Sequence, residues 1–216
     1  LTATFMPKPF SHLTGNGAHL HNSLWQGDVN AFEVEADEGG LSPVGYHFLA
    51  GVLAHAKGLA ALCSPTVNSY RRLGAMTTTS GSTWSPRYIS YGGNNRTHML
   101  RIPEAGRFEC RLVDGAANLY LALAGLLTAG LEGMEQQLVP GPRIEENMFV
   151  RGSEFPDLDL LPANLLDALE FLKQDSLLMG ALGEAAAKTL FEFKYEEWRQ
   201  YSAQITPWEM DQYVNC

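Results

Sequence analysis

The sequence predicts an α+β fold with a mostly antiparallel sheet. Three observations carry that expectation: period-two alternation at residues 16–25, a second alternating pair at 97–102 and 107–113, and helical apolar periodicity at 42–64, 116–138 and near the C-terminus.

The chain opens on Thr2-Ala3-Thr4-Phe5-Met6, which reads as a strand already under way. Along residues 16–25, Ala18, Leu20 and Leu24 point one way, and His19, His21, Ser23 and Trp25 the other. Residues 28–40 are acidic and end in glycine, so they are expected as a surface loop. Ser42 then offers an N-cap and Pro43 a first helical residue. Phe48, Leu49, Val52, Leu53, Ala56, Leu59 and Ala60 repeat at helical spacing until Pro65. Residues 64–95 are expected as loop, since 77–83 are nearly all Thr, Ser and Gly. Pro103-Glu104-Ala105-Gly106 joins the two later strands as a hairpin. Asp114 is expected to cap a long buried helix over 116–138, which Pro140-Gly141-Pro142 ends. After loop at 143–162, helices are expected at 163–174 and 182–203.

Composition bounds the function. The 216 residues are enough for one domain with a real core, and 45% are hydrophobic. No apolar run reaches membrane-spanning length, because 119–131 is broken by Gly125, Thr128 and Gly130. A formal charge of −9 argues against a general nucleic-acid binder while leaving room for a nucleotide site with a few local arginines. Cys63, Cys110 and Cys216 show no metal-like spacing, and their odd number fits a reducing, cytoplasmic compartment better than a disulfide scaffold. There is no Walker A loop, no GxGxxG turn and no Ser-His-Asp or Cys-His pattern.

Three constellations carry candidate chemistry. His19, His21 and Ser23 share one strand face after the turn Thr14-Gly15-Asn16-Gly17. Alternate strand residues lie about 6.5–7 Å apart, so they suit one extended ligand or a metal with its nucleotide; two ordinary histidines on a half-exposed strand are the alternative. Arg107, Glu109 and Arg111 share a charged face opposite Phe108, Cys110 and Leu112. That face is either a cation-holding carboxylate flanked by oxyanion-binding arginines or a solvated set of cross-strand ion pairs. Finally, Arg71, Arg72, Arg96, Arg101, Arg107 and Arg111 cluster in an otherwise acidic chain. They suit a site for polyphosphate and a small dicarboxylate, or else surface pairing with Glu33, Glu35, Asp37 or Glu104.

Taken together, the segments resemble the glutamine synthetase family. Phe5-Met6-Pro7-Lys8-Pro9 followed by His19-x-His21-x-Ser23-Leu24 looks like its ATP-site signature, and 65–73 (Pro-Thr-Val-Asn-Ser-Tyr-Arg-Arg-Leu) like its glutamate-binding segment. Asn95-Arg96, Arg101-Ile102-Pro103 and Arg107-x-Glu109-x-Arg111-Leu112-x-Asp114 follow in the family's order, and the likeness covers nearly the whole chain. The resemblance implies a curved sheet whose polar face lines the site and whose outer face carries helices. It implies ATP-dependent ligation of ammonia to the γ-carboxylate of L-glutamate through γ-glutamyl phosphate. His19 and Glu109 would bind Mg²⁺ or Mn²⁺. His21 and Ser23 would contact the nucleotide. Arg96, Arg101 and Arg107 would hold phosphates, with Arg96 stabilising charge during transfer. Thr14, Gly15, Arg72 and Arg111 would position glutamate. A homo-oligomer, a dodecamer by family habit, and no nucleic-acid or membrane partner are also implied.

Some segments depart from the family's usual pattern. Arg72-Leu73 runs into Gly74-Ala75-Met76, and Trp84 falls where the family's mobile glutamate is expected. The stretches 80–86 and 93–99 look more like the type III, rhizobial-style branch and γ-glutamylmethylamide synthetase, which leaves the amine open between ammonia and methylamine. Phe149 stands where many bacterial members carry an adenylylated tyrosine, so no adenylylation is expected there. The family's other metal-binding glutamates and its small N-terminal domain precede the matched region. Residues 1–216 are thus expected to be the C-terminal part of a catalytic domain, inactive alone. A non-catalytic binding or assembly protein that keeps the fold is the reading from another class.

Overall fold

The computed structural model describes residues 1–34, 40–73 and 83–216. Glu35, Asp37, Glu38, Gly74-Ala75-Met76 and Ser80-Gly81-Ser82 lie outside the described residues.

The expected first strand is shorter than the alternation suggested. Strand β1 covers Leu20–Asn22, and the chain then folds into a separate hairpin of β2 (Trp25–Gln26) and β3 (Val29–Asn30) around Gly27, whose φ of 60° suits glycine. The hairpin occupies the start of the expected acidic loop. Residues 2–6 form no strand: they are exposed and have no ladder partner among the described residues.

Helix α1 (Pro43–Ala54) begins as expected, with the Ser42 side chain accepting from the Gly45 amide at 3.2 Å. It does not run unbroken to Pro65. His55, at φ −97° and ψ 7°, separates it from α2 (Ala56–Cys63). No proline or glycine marks this break. The His55 ring is instead gripped by two carboxylates from distant helices, described below.

The 64–95 region expected as loop contains α3 (Val67–Leu73), a short helix held by long-range contacts rather than by its own propensity. The remaining sheet strands are β4 (Tyr91–Gly92), β5 (Leu100–Glu104) and β6 (Arg107–Cys110). The β5–β6 hairpin turns at Ala105-Gly106, with Gly106 at φ 77°. Sheet order is β1-β6-β5-β4; β1–β6 and β6–β5 are antiparallel and β4–β5 is parallel.

Helix α4 (Leu119–Glu135) starts three residues later than expected. Asn118, not Asp114, is its cap, with its side-chain oxygen accepting from Tyr120 N at 3.0 Å. The loop expected at 143–162 holds α5 (Met148–Arg151) and a 3₁₀ turn at Gly152–Glu154. The C-terminal region has α6 (Leu165–Gln174) and α8 (Glu184–Ser202) as expected, plus α7 (Ser176–Leu182) and α9 (Pro207–Tyr213). No helix of the described residues is long and apolar enough to cross a membrane.

The core lies between the apolar sheet face and the helices. Phe108, Cys110 and Leu112 are fully buried, as are Leu49, Val52 and Leu59. The Phe48 ring of α1 meets Phe108 of β6 at 5.9 Å and Phe32 at 5.4 Å. Helices α1 and α4 approach so closely that a Cβ on Gly51 would stand 2.0 Å from the Ala129 carbonyl. This packing fixes β6 from behind and turns its other face toward the site.

Candidate active site

The site is built on one pairing of the β1–β6 ladder. His21 lies opposite Glu109, while Leu20 and Phe108 on either side point to the core. The strand period therefore delivers histidine and carboxylate to the same face.

Glu109 is the hub. Its Oε1 accepts from Arg111 Nη1 at 2.9 Å and from His19 Nδ1 at 3.0 Å; its Oε2 accepts from Arg101 Nη1 at 2.9 Å. His21 Nε2 lies 4.0 Å from Oε1. Arg101 reaches Glu109 because β5 and β6 pair Arg101 with Glu109 in register. Burial alone would raise the Glu109 pKa, but the hydrogen bonds from His19 and Arg101 and the charge and hydrogen bond of Arg111 overturn this, and hold the carboxyl well below the usual range.

Of the two readings open for the charged strand face, solvated ion pairs fail. Glu109 and Arg111 are only 4% and 2% exposed. A charge pair is taken this far out of water only with dense compensation. Among the described residues, the surface alternative is seen at Arg107. Its Nε donates to Glu104 Oε1 at 2.7 Å, while its Nη1 reaches His21 Nδ1.

The histidines are assigned complementary roles by these bonds. His19 Nδ1 lies 3.0 Å from Glu109 Oε1 and 3.2 Å from Arg111 Nη1; the tautomer that donates from Nδ1 to Glu109 leaves the Nε2 lone pair available as a ligand. His21 accepts from Arg107 at Nδ1; burial first and the Arg107 charge second lower its pKa. Glu109 offers about four lone-pair positions and spends three on its partners, so one remains. Among the described residues no three His, Cys, Asp or Glu side chains converge as a ready cation site. The donor set that the described residues offer a hard cation here is one imidazole nitrogen and one carboxylate oxygen position.

Arg96 is exposed, near enough for its charge to act on Arg111. Ser23 is exposed, and its Oγ accepts from Trp25 Nε1 at 3.0 Å rather than meeting the hub. The turn expected at 14–17 lies instead at 11–13; Thr14 to Asn16 run without a turn to Gly17, which bridges to Asp114. Gly15 lies over Arg72: a Cβ there would stand 2.5 Å from the Pro7 carbonyl and 3.2 Å from Arg72 Cγ. Arg72 itself is buried, and its two Nη atoms donate to the carbonyls of Arg111 (2.9 Å) and Leu112 (3.2 Å). Burial lowers its pKa to about 10. Arg71, by contrast, is exposed and donates to the Tyr201 hydroxyl at 2.7 Å.

Sequence reasoning missed two members of this arrangement. Asn68 pairs with the backbone of Lys8 in both directions, at 2.7 and 3.0 Å, fixing the strip of chain against which residues 15 and 16 lie. The Trp84 carbonyl accepts from Arg111 Nη2 at 3.0 Å, with Trp84 at φ 53°. Neither is signalled by residue type: one is an ordinary amide inside a short helix, the other a main-chain atom.

The profile of the glutamine synthetase catalytic domain matches residues 1–213. The chain belongs to the glutamine synthetase family. It is 49% identical to a glutamine synthetase of Rhizobium meliloti over 97% of its own length and 48% of that protein. It is 43% identical to a glutamate–methylamine ligase of Methyloversatilis universalis, over 99% of this chain and 49% of that one. A solved structure of GmaS in complex with ADP superposes with a TM-score of 0.92 at 53% identity, covering 99% of this chain and 49% of the GmaS chain. The chain thus spans about half the length of the relatives it matches. The α+β architecture expected from the sequence agrees with that of GmaS, with the sheet mixed at β4–β5.

Proposed function

We propose that this chain is the nucleotide- and glutamate-binding half of an ATP-dependent glutamate–amine ligase. The observation that carries the reading is the Glu109 hub, where one sealed carboxylate gathers His19, Arg101 and Arg111 beside His21. Family membership supplies the reaction class. The γ-carboxylate of L-glutamate attacks the γ-phosphoryl group of ATP, releasing ADP. The amine nitrogen then attacks the acyl carbon of γ-glutamyl phosphate, phosphate leaves, and a proton is lost from nitrogen.

The residue types suit these steps. Phosphoryl transfer is helped chiefly by positioning and by charge placed around the transferring oxygens. Arg101 and Arg107 stand beside the hub for that purpose, and the exposed Arg96 is free to approach the transferring group. His21 and Ser23 lie along β1 where an extended nucleotide would cross it. Glu109 holds Arg101 and Arg111 in place before substrate arrives, so little reorganisation is needed at reaction. Mg²⁺ or Mn²⁺, held by His19 Nε2 and Glu109, would neutralise phosphate charge when bound. Thr14, Gly15, Arg72 and Arg111 form the glutamate side of the site, Arg72 through the backbone it fixes. The further ligands and subunit contacts the reaction requires would come from the other half of the relatives' length. Cytoplasmic location and a dodecameric homo-oligomer belong to the same proposal.

The test is turnover by the natural polypeptide that contains this chain. Phosphate release should require ATP, L-glutamate, an amine and a divalent cation together. Glutamate-independent ATP hydrolysis alone would overturn the reading, as would turnover unaffected by His19→Ala.

A second reading, methylamine as the preferred amine, is favoured by the 53% identity to GmaS and by Trp84, an exposed aromatic held at positive φ next to Arg111. Relative kcat/KM for methylamine and ammonium decides between them; strong ammonium preference sinks the second.

A further inference from the structure

We propose that Glu197, on helix α8, is a positioning residue for the glutamate side of the site; this rests on the proposed role of the Thr14–Gly17 segment given above. Glu197 touches none of the site residues. Its Oε1 accepts from the Val67 amide, the first of helix α3, at 3.0 Å, across 130 residues of sequence. Its Oε2 accepts from Lys194 Nζ at 2.7 Å, one turn earlier on α8. One turn later, the Tyr201 hydroxyl accepts from Arg71 at 2.7 Å. Helix α8 therefore holds α3 at its first amide and again at its last turn.

What α3 carries makes this hold consequential. Asn68, next to the capped amide, clamps the Lys8 backbone. The adjoining Pro7 carbonyl accepts from Asn16 N at 2.8 Å and lies directly under Gly15. Arg72, at the other end of α3, packs beneath the same segment: a Cβ on Gly17 would come within 2.9 Å of its Nη2. Its guanidinium also holds the carbonyls of Arg111 and Leu112. A seven-residue helix has little stability of its own, so its position is set by what grips it. The Thr14–Gly17 segment is joined to the continuation of β6 by the Gly17–Asp114 bridge and by Ala18 N donating to the Val113 carbonyl at 3.0 Å. Helix α3 supports the same segment from its other side through Asn68 and Arg72, and Glu197 holds the first amide of α3.

The variants are Glu197→Ala, which removes the acceptor, and Glu197→Gln, whose amide oxygen keeps it. In the natural polypeptide, Glu197→Ala should raise KM for glutamate about five-fold, the equivalent of a lost helix cap at about 1 kcal/mol. KM for ATP should change less than about two-fold, since this contact is remote from His21 and Arg107. Glu197→Gln should restore the glutamate KM. Equal rises in both KM values, or a fall in kcat alone, would overturn the proposal and make Glu197 a general stabiliser. Amide hydrogen exchange on the same natural polypeptide gives an independent arm. Glu197→Ala should speed exchange at 67–73 and at 14–17, with Glu197→Gln near wild type. Unchanged exchange at 14–17 would overturn the positioning role. Wild-type protein that fails to turn over glutamate with either amine would instead refute the proposed reaction, leaving the exchange result to decide the role of Glu197.

Discussion

Arg111 Nη1 lies 2.9 Å from Glu109 Oε1, with both side chains almost sealed from solvent. The pair is i, i+2 on one strand, so both groups project from the same face. Removing the carboxylate would leave Arg111, and Arg101 beside it, without their compensating charge. Glu109→Ala is therefore expected to destabilise this chain by roughly 3–5 kcal/mol, the range for breaking a buried pair. Glu109→Gln, which retains an acceptor oxygen, should cost less. Urea unfolding of the two variants checks the ordering; a cost for Glu109→Ala under about 1 kcal/mol would show that water reaches Arg111 readily.

The α1–α4 crossing makes an unusual demand on glycine. A Cβ on Gly133 would stand 2.2 Å from the His47 carbonyl and 2.7 Å from Gly51 N, both of them backbone atoms that cannot swing aside. Alanine normally strengthens a helix by about 1 kcal/mol over glycine. Here the clash reverses the sign, and Gly133→Ala is expected to lose about 1–3 kcal/mol. Gly180 in α7 is the control, because a Cβ there meets nothing within 4 Å. Gly180→Ala should leave stability unchanged or raise it by up to about 1 kcal/mol. Thermal midpoints moving the same way for both variants would refute the argument.

Much of this was legible because it lies in local pattern. The strand period placed His21, Glu109, Arg107 and Arg111 on one face, and Phe108, Cys110 and Leu112 on the other. Ser42-Pro43 announced the start of α1. The failures are equally physical. Helix α3 has no sustained periodicity, since its contacts are polar and come from Glu197, Tyr201 and Lys8, remote in sequence. The break at His55 is tertiary. Asp114 looked like a cap but is fully buried near Arg72, and Asn118 does the capping. The depth of Glu109 and Arg111 was also hidden, because alternation reports which face a residue takes and not how covered that face is.

His55 predicts a pH dependence distant from the site. Its Nδ1 lies 2.6 Å from Asp175 Oδ2 and its Nε2 lies 2.6 Å from Glu132 Oε2, tying the α1–α2 junction to α7 and α4. Only the imidazolium can donate at both nitrogens. Burial lowers the pKa, but the hydrogen bonds that His55 donates to Asp175 and Glu132, and the charges of those carboxylates, outweigh it, and the net shift is upward. A raised folded-state pKa means that the clamp's contribution is complete below the ordinary value of about 6.5 and fades as pH rises through the folded value. Unfolding free energy of the wild type should therefore fall over that window by more than that of His55→Gln. Parallel pH profiles for the two proteins would sink the idea.

Arg96 tests the proposed role of an exposed arginine in phosphoryl transfer. Arg72 and Arg111 are buried and hold main-chain carbonyls, so their loss would disturb folding and function together. Arg96 is exposed on the turn before β5, where surface substitutions usually change stability by no more than about 0.5 kcal/mol. Its charge nevertheless acts on Arg111. If it stabilises the transferring phosphoryl group, Arg96→Ala in the natural polypeptide should lower kcat by about 10²–10³, the usual effect of removing one group aimed at developing charge. KM for ATP should change much less, because the interaction strengthens in the transition state. Unfolding midpoints should match wild type. A large rise in the KM for ATP with kcat intact would make Arg96 a ground-state phosphate contact, and unchanged kinetics would remove it from the site.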